Sequence, residues 1–341
     1  MNKIAFWEFI HEYLQADEPL LLLTVVESNG SSPGKPGFKM AVTADGLIQG
    51  TIGGGSMERK LTEKAVKLLA RGMERPQLLK LLHHEGRESS TIPSGGGTAA
   101  SVSLEGVKGK RSGMICSGWQ RIAMVPLSAD DSDAVGSLIF ALKRNRPGRL
   151  QFTARGMEFQ PLKKPAVEMA FDYESDEDWH YQEEAGQRPT LTVIGGGHVG
   201  LALSRVMAEL NFHIVVLDDR RRVETMAANA YAQEKQVVSY KRIGTLVNDG
   251  RQSYVVIMTF GHQADELVLG QLAGKKLRYL GLMGSPAKIA QIFANLKKKG
   301  VAAADLKKIH APVGLPIRSH TPEEIAISIA AEIIQIKNQP K

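Results

Sequence analysis

The run Gly195-Gly196-Gly197-His198-Val199-Gly200 constrains this chain more than any other feature, because it stands between a β-branched segment, Leu191 to Ile194, and a helix-period segment, Leu201 to Leu210. A G-x-G-x-x-G pattern carries meaning only where a strand runs into a helix, and here both flanks comply. In that setting Gly195 permits the tight turn, Gly197 lets backbone approach a phosphate, and Gly200 packs helix against strand. The N-terminus of the helix that the motif opens offers unpaired N–H groups and a partial positive charge to an anion. Asp218 and Asp219 end the next strand about twenty residues on, where an acid would bind a ribose hydroxyl. The pattern predicts a Rossmann-type domain. It leaves a bound NAD(P) open, since the same glycines also serve plain strand-to-helix packing.

The rest of the C-terminal half keeps the same rhythm. Ile214 to Leu217, Val255 to Met258 and Tyr279 to Leu280 are short strand-like runs, each followed by a turn and a helical stretch, which predicts a parallel sheet with crossover helices. Ligands of such sheets bind beyond the carboxyl ends of the strands. Thr259, His262 and Asp265 stand there, with His262 and Asp265 on one helix face; His262 either meets a ligand or hydrogen-bonds locally. Gly284, Ser285 and Lys288 repeat the arrangement after the following strand, where Ser285 can cap the helix and Lys288 can neutralise a phosphate. The last helix is announced by Thr321-Pro322-Glu323-Glu324, a capping box with proline at the first helical position. Its apolar stretch, Ile325 to Ile336, is expected to cover the sheet or a neighbouring copy of the chain.

The N-terminal half reads as α+β. An amphipathic helix (Ile4, Trp7, Ile10, Leu14) leads to a buried strand at Leu21 to Val26, a loop at Ser31 to Gly37, and a strand at Lys39 to Thr43. A second loop, Gly50 to Ser56, precedes a helix from Glu58 to Arg71. Glycine runs cost backbone entropy, so Gly53-Gly54-Gly55 marks either a ligand loop or a tight packing corner. Ser56 and Glu58 open the helix after it, at a dipole suited to an anion. Cys116 lies between Gly113 and Gly118 and is either a soft metal ligand or nucleophile, or a small buried apolar residue. The stretch from Asp172 to Glu184 is crowded with acids. Its composition predicts a linker over 166–188, between a domain at 1–165 and a Rossmann-like domain at 189–341.

Several functions are excluded or disfavoured. The single cysteine among 341 residues can form neither an intrachain disulfide nor an iron–sulfur framework, which favours the cytoplasm. The N-terminal segment carries Glu8, His11 and Glu12 where a signal peptide needs an unbroken apolar core, and no run is long enough for a membrane span. The net charge of +7 is spread over short pairs and triplets, a pattern that suits a small anionic ligand as well as a polymer and gives no footprint for nucleic acid. P-loop, nucleophile-elbow and zinc-protease motifs are missing.

Taken in order, these motifs resemble the XdhC/CoxI-type accessory proteins that mature xanthine dehydrogenase and related molybdenum hydroxylases. The resemblance rests on Ser31-Ser32-Pro33, Pro36-Gly37 and Lys39-Met40, on Gly50 to Gly55 with Glu58, and on Gly113 to Cys116. It continues through Gly195 to Gly200, Gly281 to Ser285, His310 to Leu315 and Thr321 to Ala326. It implies an accessory domain joined to a Rossmann domain, and a protein that binds molybdenum cofactor (molybdopterin) and delivers it, after sulfuration, to an apo-hydroxylase. A cysteine desulfurase and a second copy of the chain are further partners on this reading. It also implies cysteine directly after the glycine triplet, where this chain has Ser56, a far poorer ligand for a thiophilic metal. Cys116 matches the family's second cysteine position and is the expected metal ligand. The rival reading is an NAD(P)-dependent oxidoreductase with Asp218 at the ribose and His262 or His310 as proton donor.

Overall fold

The computed structural model describes residues 3–83, 118–164 and 168–339. The chain divides into two compact units, with the boundary between Gln187 and Arg188.

The first unit begins with α1 (Lys3–Gln15), whose Phe6, Trp7, Ile10 and Leu14 recur at helical spacing and are all buried. Then follow β1 (Leu20–Gly30), β2 (Lys39–Thr43), β3 (Ile48–Gly50), α2 (Gly55–Ala70), β4 (Gln77–His83), β5 (Gly118–Leu127) and α3 (Ser132–Lys143). The strands form an antiparallel sheet in the order β3-β2-β1-β5-β4. Residues Leu20 to Val26 of β1 are buried without alternation, because both faces of the sheet are covered. Leu21, Leu23 and Val25 meet Leu61 and Ala65 of α2 on one side. Leu20 and Leu22 meet α1 and α3 on the other.

The acidic stretch is not a linker. After β6 (Gly148–Thr153) and β7 (Gly156–Pro161) come β8 (Ala170–Ser175) and β9 (Asp178–Ala185), and the four make a second antiparallel sheet, β7-β6-β9-β8. Burial alternates along β9, with Trp179, Tyr181, Glu183 and Ala185 inward. Of the charges that suggested a solvated tether, Asp172 and Glu174 lie on the exposed part of β8, Asp176 and Glu177 form the turn, Asp178 and Glu184 face outward on β9, and Glu183 alone is turned inward.

The second unit is a parallel sheet with helices between its strands. In chain order it comprises β10 (Thr190–Ile194), α4 (His198–Glu209), β11 (His213–Asp218), α5 (Glu224–Ala227), β12 (Glu234–Val237), α6 (Ile243–Leu246) and β13 (Gly250–Ile257). It continues with α7 (His262–Leu272), β14 (Leu277–Leu282), α8 (Pro286–Lys298), α9 (Ala303–Leu306) and α10 (Pro322–Lys337). The five strands lie in the order β12-β11-β10-β13-β14, and every pair is parallel. The order reverses between β10 and β13, which is where open α/β sheets leave a crevice at the carboxyl ends. The capping box of α10 forms as expected: Glu324 N–H donates to Thr321 Oγ1, and Thr321 N–H donates to Glu324 Oε2. This helix buries Ala326, Ile329, Ala330 and Ile333 in one cluster with Leu191, Val193, Leu203 and Met207, so it covers its own sheet.

Candidate functional site

Glycine chemistry at the carboxyl edge of β10 is specific to each position. Gly195 has φ +117°, and a Cβ there would lie 2.3 Å from the carbonyl oxygen of Met258. A Cβ on Gly200 would meet the Gly195 carbonyl oxygen at 2.5 Å. These two glycines serve packing. Gly197 differs, because its φ of −73° is ordinary and a Cβ would meet nothing within 4 Å among the described residues. It is the N-cap of α4 and supplies no side-chain cap, so the N–H groups from His198 onward begin the helix beside open space.

The neighbouring helix entrances are already served. Ser285 caps α8 by accepting from Lys288 N–H, which is the capping role. At α7, the fully buried Asp265 accepts from the Thr259 N–H at 3.1 Å and the Thr259 hydroxyl at 2.5 Å. Its second oxygen meets Lys288 Nζ at 2.5 Å. Thr259, Asp265 and Lys288 therefore form one closed network, and the charge of Lys288 is opposed by a buried carboxylate. Gly284 lies against the Lys288 side chain. His262 is exposed on the first turn of α7.

Asp218 occupies the position expected of a ribose acid, yet it has no exposed surface. It accepts from Gly196 N–H at 2.8 Å, from Arg220 N–H at 2.9 Å, and from Arg220 Nε and Nη2 at 2.9 and 2.7 Å. Burial pushes its pKa up, but the hydrogen bonds from Arg220 and Gly196 outweigh that and hold the carboxyl below the usual carboxylate range. Both oxygens are committed within the protein. His310, the other expected proton donor, stacks on Tyr279 and sets Nδ1 at 2.9 Å from Glu332. Glu332 also accepts from Gly314 N–H at 2.8 Å and from the Tyr279 hydroxyl. His310 thereby ties the loop after α9 to α10.

In the first unit, the loops at 31–37 and 50–56 meet. A Cβ on Gly34 would lie 2.2 Å from the Ile52 carbonyl oxygen, and one on Gly53 would lie 2.7 Å from Gly34 N. Gln120 Oε1 accepts from the Ser32 hydroxyl at 2.8 Å and Gly34 N–H at 3.1 Å, while its Nε2 faces Met57 Sδ. Gly53 is thus a packing corner. Gly54 and Gly55 are not: at φ +82° and +77° they need glycine for backbone reasons, and among the described residues no atom lies within 4 Å of a Cβ on either. The helix N-terminus here already holds an anion. Glu58 Oε1 accepts from the Thr51 hydroxyl at 2.6 Å and from the N–H groups of Ile52 and Gly54 at 2.8 Å each. Burial raises its pKa, and these donors more than reverse that. Ser56 is exposed one residue into α2.

Lys39 is buried, with Nζ 2.7 Å from Glu183 Oε1 and 3.2 Å from the Gly37 carbonyl oxygen. Tyr181 donates to Glu183 Oε2 at 2.7 Å. Burial lowers the pKa of Lys39. Its ammonium is consumed inside the fold, where it pins Gly37, and its carbonyl accepts from Thr51 N–H at 2.8 Å. Sequence reasoning missed Glu183 because it lay in the supposed linker. Cys116, expected to bind metal, lies outside the described residues. Among the described residues no group of three or more His, Cys, Asp or Glu side chains is placed to hold a metal ion. No described helix is long and apolar enough to cross a membrane.

Comparison with known proteins gives a consistent result. Residues 191–333 match the XdhC Rossmann domain, and residues 13–82 match the XdhC and CoxI family. The uncharacterized protein YqeB of Escherichia coli (strain K12) is 28% identical over 322 residues, covering 94% of this chain and 44% of that protein. A protein of Bacillus subtilis (strain 168) described as a probable component of xanthine dehydrogenase is 26% identical over 152 residues, 45% of this chain and 44% of that protein. The matches span less than half the length of these curated relatives. A crystal structure described as a xanthine dehydrogenase from Bacillus halodurans superimposes with a TM-score of 0.72 at 22% identity, covering 98% of this chain and 96% of that one. That likeness establishes a shared fold.

Proposed function

The chain belongs to the XdhC and CoxI family, and from that premise we propose that it is an accessory protein of xanthine dehydrogenase maturation which binds molybdenum cofactor and hands it to an apo-hydroxylase. The observation that carries the reading is the entrance of α4: an uncapped helix N-terminus whose N-cap glycine has ordinary backbone angles and open space in front of it. Packing does not require glycine at 197, whereas close approach of a phosphate does. Gly197 and the backbone from His198 would hold the phosphate of molybdopterin. Gly54 and Gly55 offer a second stretch of open backbone, in the first unit.

When bound, the cofactor supplies the metal centre that the client enzyme uses; this chain supplies a cradle and protection. Cys116 is the thiolate we assign to the metal, because Ser56 stays protonated at neutral pH and binds a soft metal weakly. A hydroxylase client, a cysteine desulfurase as sulfur source, a homodimer and a cytoplasmic setting complete the reading. The NAD(P)-dependent oxidoreductase alternative has less support, since Asp218 has both oxygens committed and His310 is turned to Glu332.

Calorimetric titration of the full chain with molybdopterin, released anaerobically from a molybdoenzyme, tests the proposal. Gly197→Ala should bind at least about tenfold more weakly, about 1.4 kcal/mol, with no more than the small loss of stability that an alanine N-cap costs. Equal affinity of the two proteins overturns the site at α4. Tight NAD(P) binding with hydride turnover would favour the oxidoreductase instead.

A further inference from the structure

We propose that Phe260 is an aromatic shelf for the planar ring system of a phosphate-bearing ligand seated at the entrance of α4, an inference that rests on the reading of that entrance as the phosphate site. Phe260 is 86% exposed, whereas the next most exposed large apolar side chain among the described residues, Phe140, is 57% exposed. A phenyl ring left in water forgoes roughly 1.5–3 kcal/mol of burial, so Phe260 adds nothing to the core.

Its backbone is nevertheless anchored on both sides. The residue before it, Thr259, is fixed through backbone and side chain to Asp265, which is fully buried and closed on its other side by Lys288. The residue after it, Gly261, takes φ +104° and turns the chain into α7. A buried polar network of this kind is costly to build and rigid once satisfied, and what it presents to solvent is the ring.

The position is specific too. Met258 N–H donates to the Ile194 carbonyl at 2.9 Å, and a Cβ on Gly195 would lie 2.3 Å from the Met258 carbonyl oxygen. The Phe260 loop and the glycine loop thus leave adjacent strands side by side, at the point where the strand order reverses. An aromatic face carried on an anchored backbone beside an anion-binding backbone fits a fused heterocycle carrying a phosphate, a pterin or a purine, because any such ring offers a flat π-surface for stacking.

The chain's three tryptophans, Trp7, Trp119 and Trp179, all precede the second unit, so F260W adds a reporter at the shelf itself. Molybdopterin, with inorganic pyrophosphate as a ringless control, is titrated into the full-length wild type, F260A and F260W. The shelf requires F260A to bind molybdopterin about tenfold more weakly while its pyrophosphate affinity and melting temperature stay unchanged. F260W should retain affinity and show quenched emission on binding. If F260A binds molybdopterin as the wild type does, the shelf is wrong and the phosphate site stands. If the wild type binds no molybdopterin, both readings fall. If F260A keeps its molybdopterin affinity but loses association with an apo-hydroxylase, the ring is a protein contact and the shelf is overturned.

Discussion

The carboxylate of Glu58 accepts the N–H of Gly54, four residues back along the chain, at 2.8 Å, and so occupies the N-terminus of its own helix. The glycine loop expected to receive an external anion is therefore organised around an internal one. A ligand at Gly54 or Gly55 reaches backbone that Glu58 has already shaped.

Glu58→Gln should destabilise the protein by about 1 kcal/mol at neutral pH, the ordinary worth of charge-assisted bonds to backbone donors. The Glu58 carboxyl is held below its ordinary pKa. Its contribution is therefore present above the unfolded value, about 4.3, and is lost as pH falls through the lower folded value. Denaturation midpoints of wild type and variant, measured from pH 7 down to pH 3, should converge only at the acid end. A constant gap across that range would count against the charged bond.

The three alanine substitutions in the Rossmann motif should separate sharply. Gly195→Ala and Gly200→Ala push a methyl into backbone at 2.3 and 2.5 Å, and each should cost about 2–4 kcal/mol. Gly197→Ala meets nothing, but alanine is a poorer N-cap than glycine, so it should cost about 0.5–1 kcal/mol, well below the other two. Chemical denaturation of the three variants checks the ordering.

Lys288→Met removes the cation facing a carboxylate with no exposed surface. Stranding a buried charge costs about 3–5 kcal/mol; Lys288 is partly solvated, so a loss of about 2–3 kcal/mol is expected. Adding Asp265→Asn should restore part of it, and a double-mutant cycle reads the coupling. Strict additivity would mean the pair contributes nothing.

Ser56 is exposed at the start of α2, so Ser56→Cys in a Cys116→Ser background should carry one rapidly titrating thiol. In the wild-type background, Ser56→Cys should raise molybdenum retained per folded molecule, and Cys116→Ser alone should lower it. Metal stoichiometry measured beside melting curves decides this. Unchanged metal content in both single variants would leave the cofactor held through phosphate and pterin alone.

Much of the local structure was legible before any fold was known. Strand β2 spans Lys39 to Thr43 as its apolar run indicated, and Thr321 and Glu324 close the capping box their spacing required. Gly200 packs as the motif assigns, against the Gly195 carbonyl five residues back, which is a local relationship; Gly195 makes the turn, but what presses on it is Met258 of the neighbouring strand. The acidic stretch was misread for a physical reason: period-2 alternation is visible only when the inward residues are apolar. In β9 one of them is Glu183, whose burial makes sense only beside Lys39, 144 residues away.

What the sequence by itself determined is the class of each half, the parallel βα rhythm of the second and the glycine backbone at its strand ends, since periodicity and backbone freedom are local properties. Packing decided which of the candidate polar residues in both units are available. Asp218 is consumed by Arg220 and Gly196, Lys288 by Asp265, His310 by Glu332 and Lys39 by Glu183. A charge brought out of water takes the nearest complementary group: Arg220 stands two residues from Asp218, but the partners of Lys288, His310 and Lys39 come from segments that only packing brings close. The same packing holds Phe260 out in solvent beside the helix entrance at the switch point, where a glycine stands without need of packing.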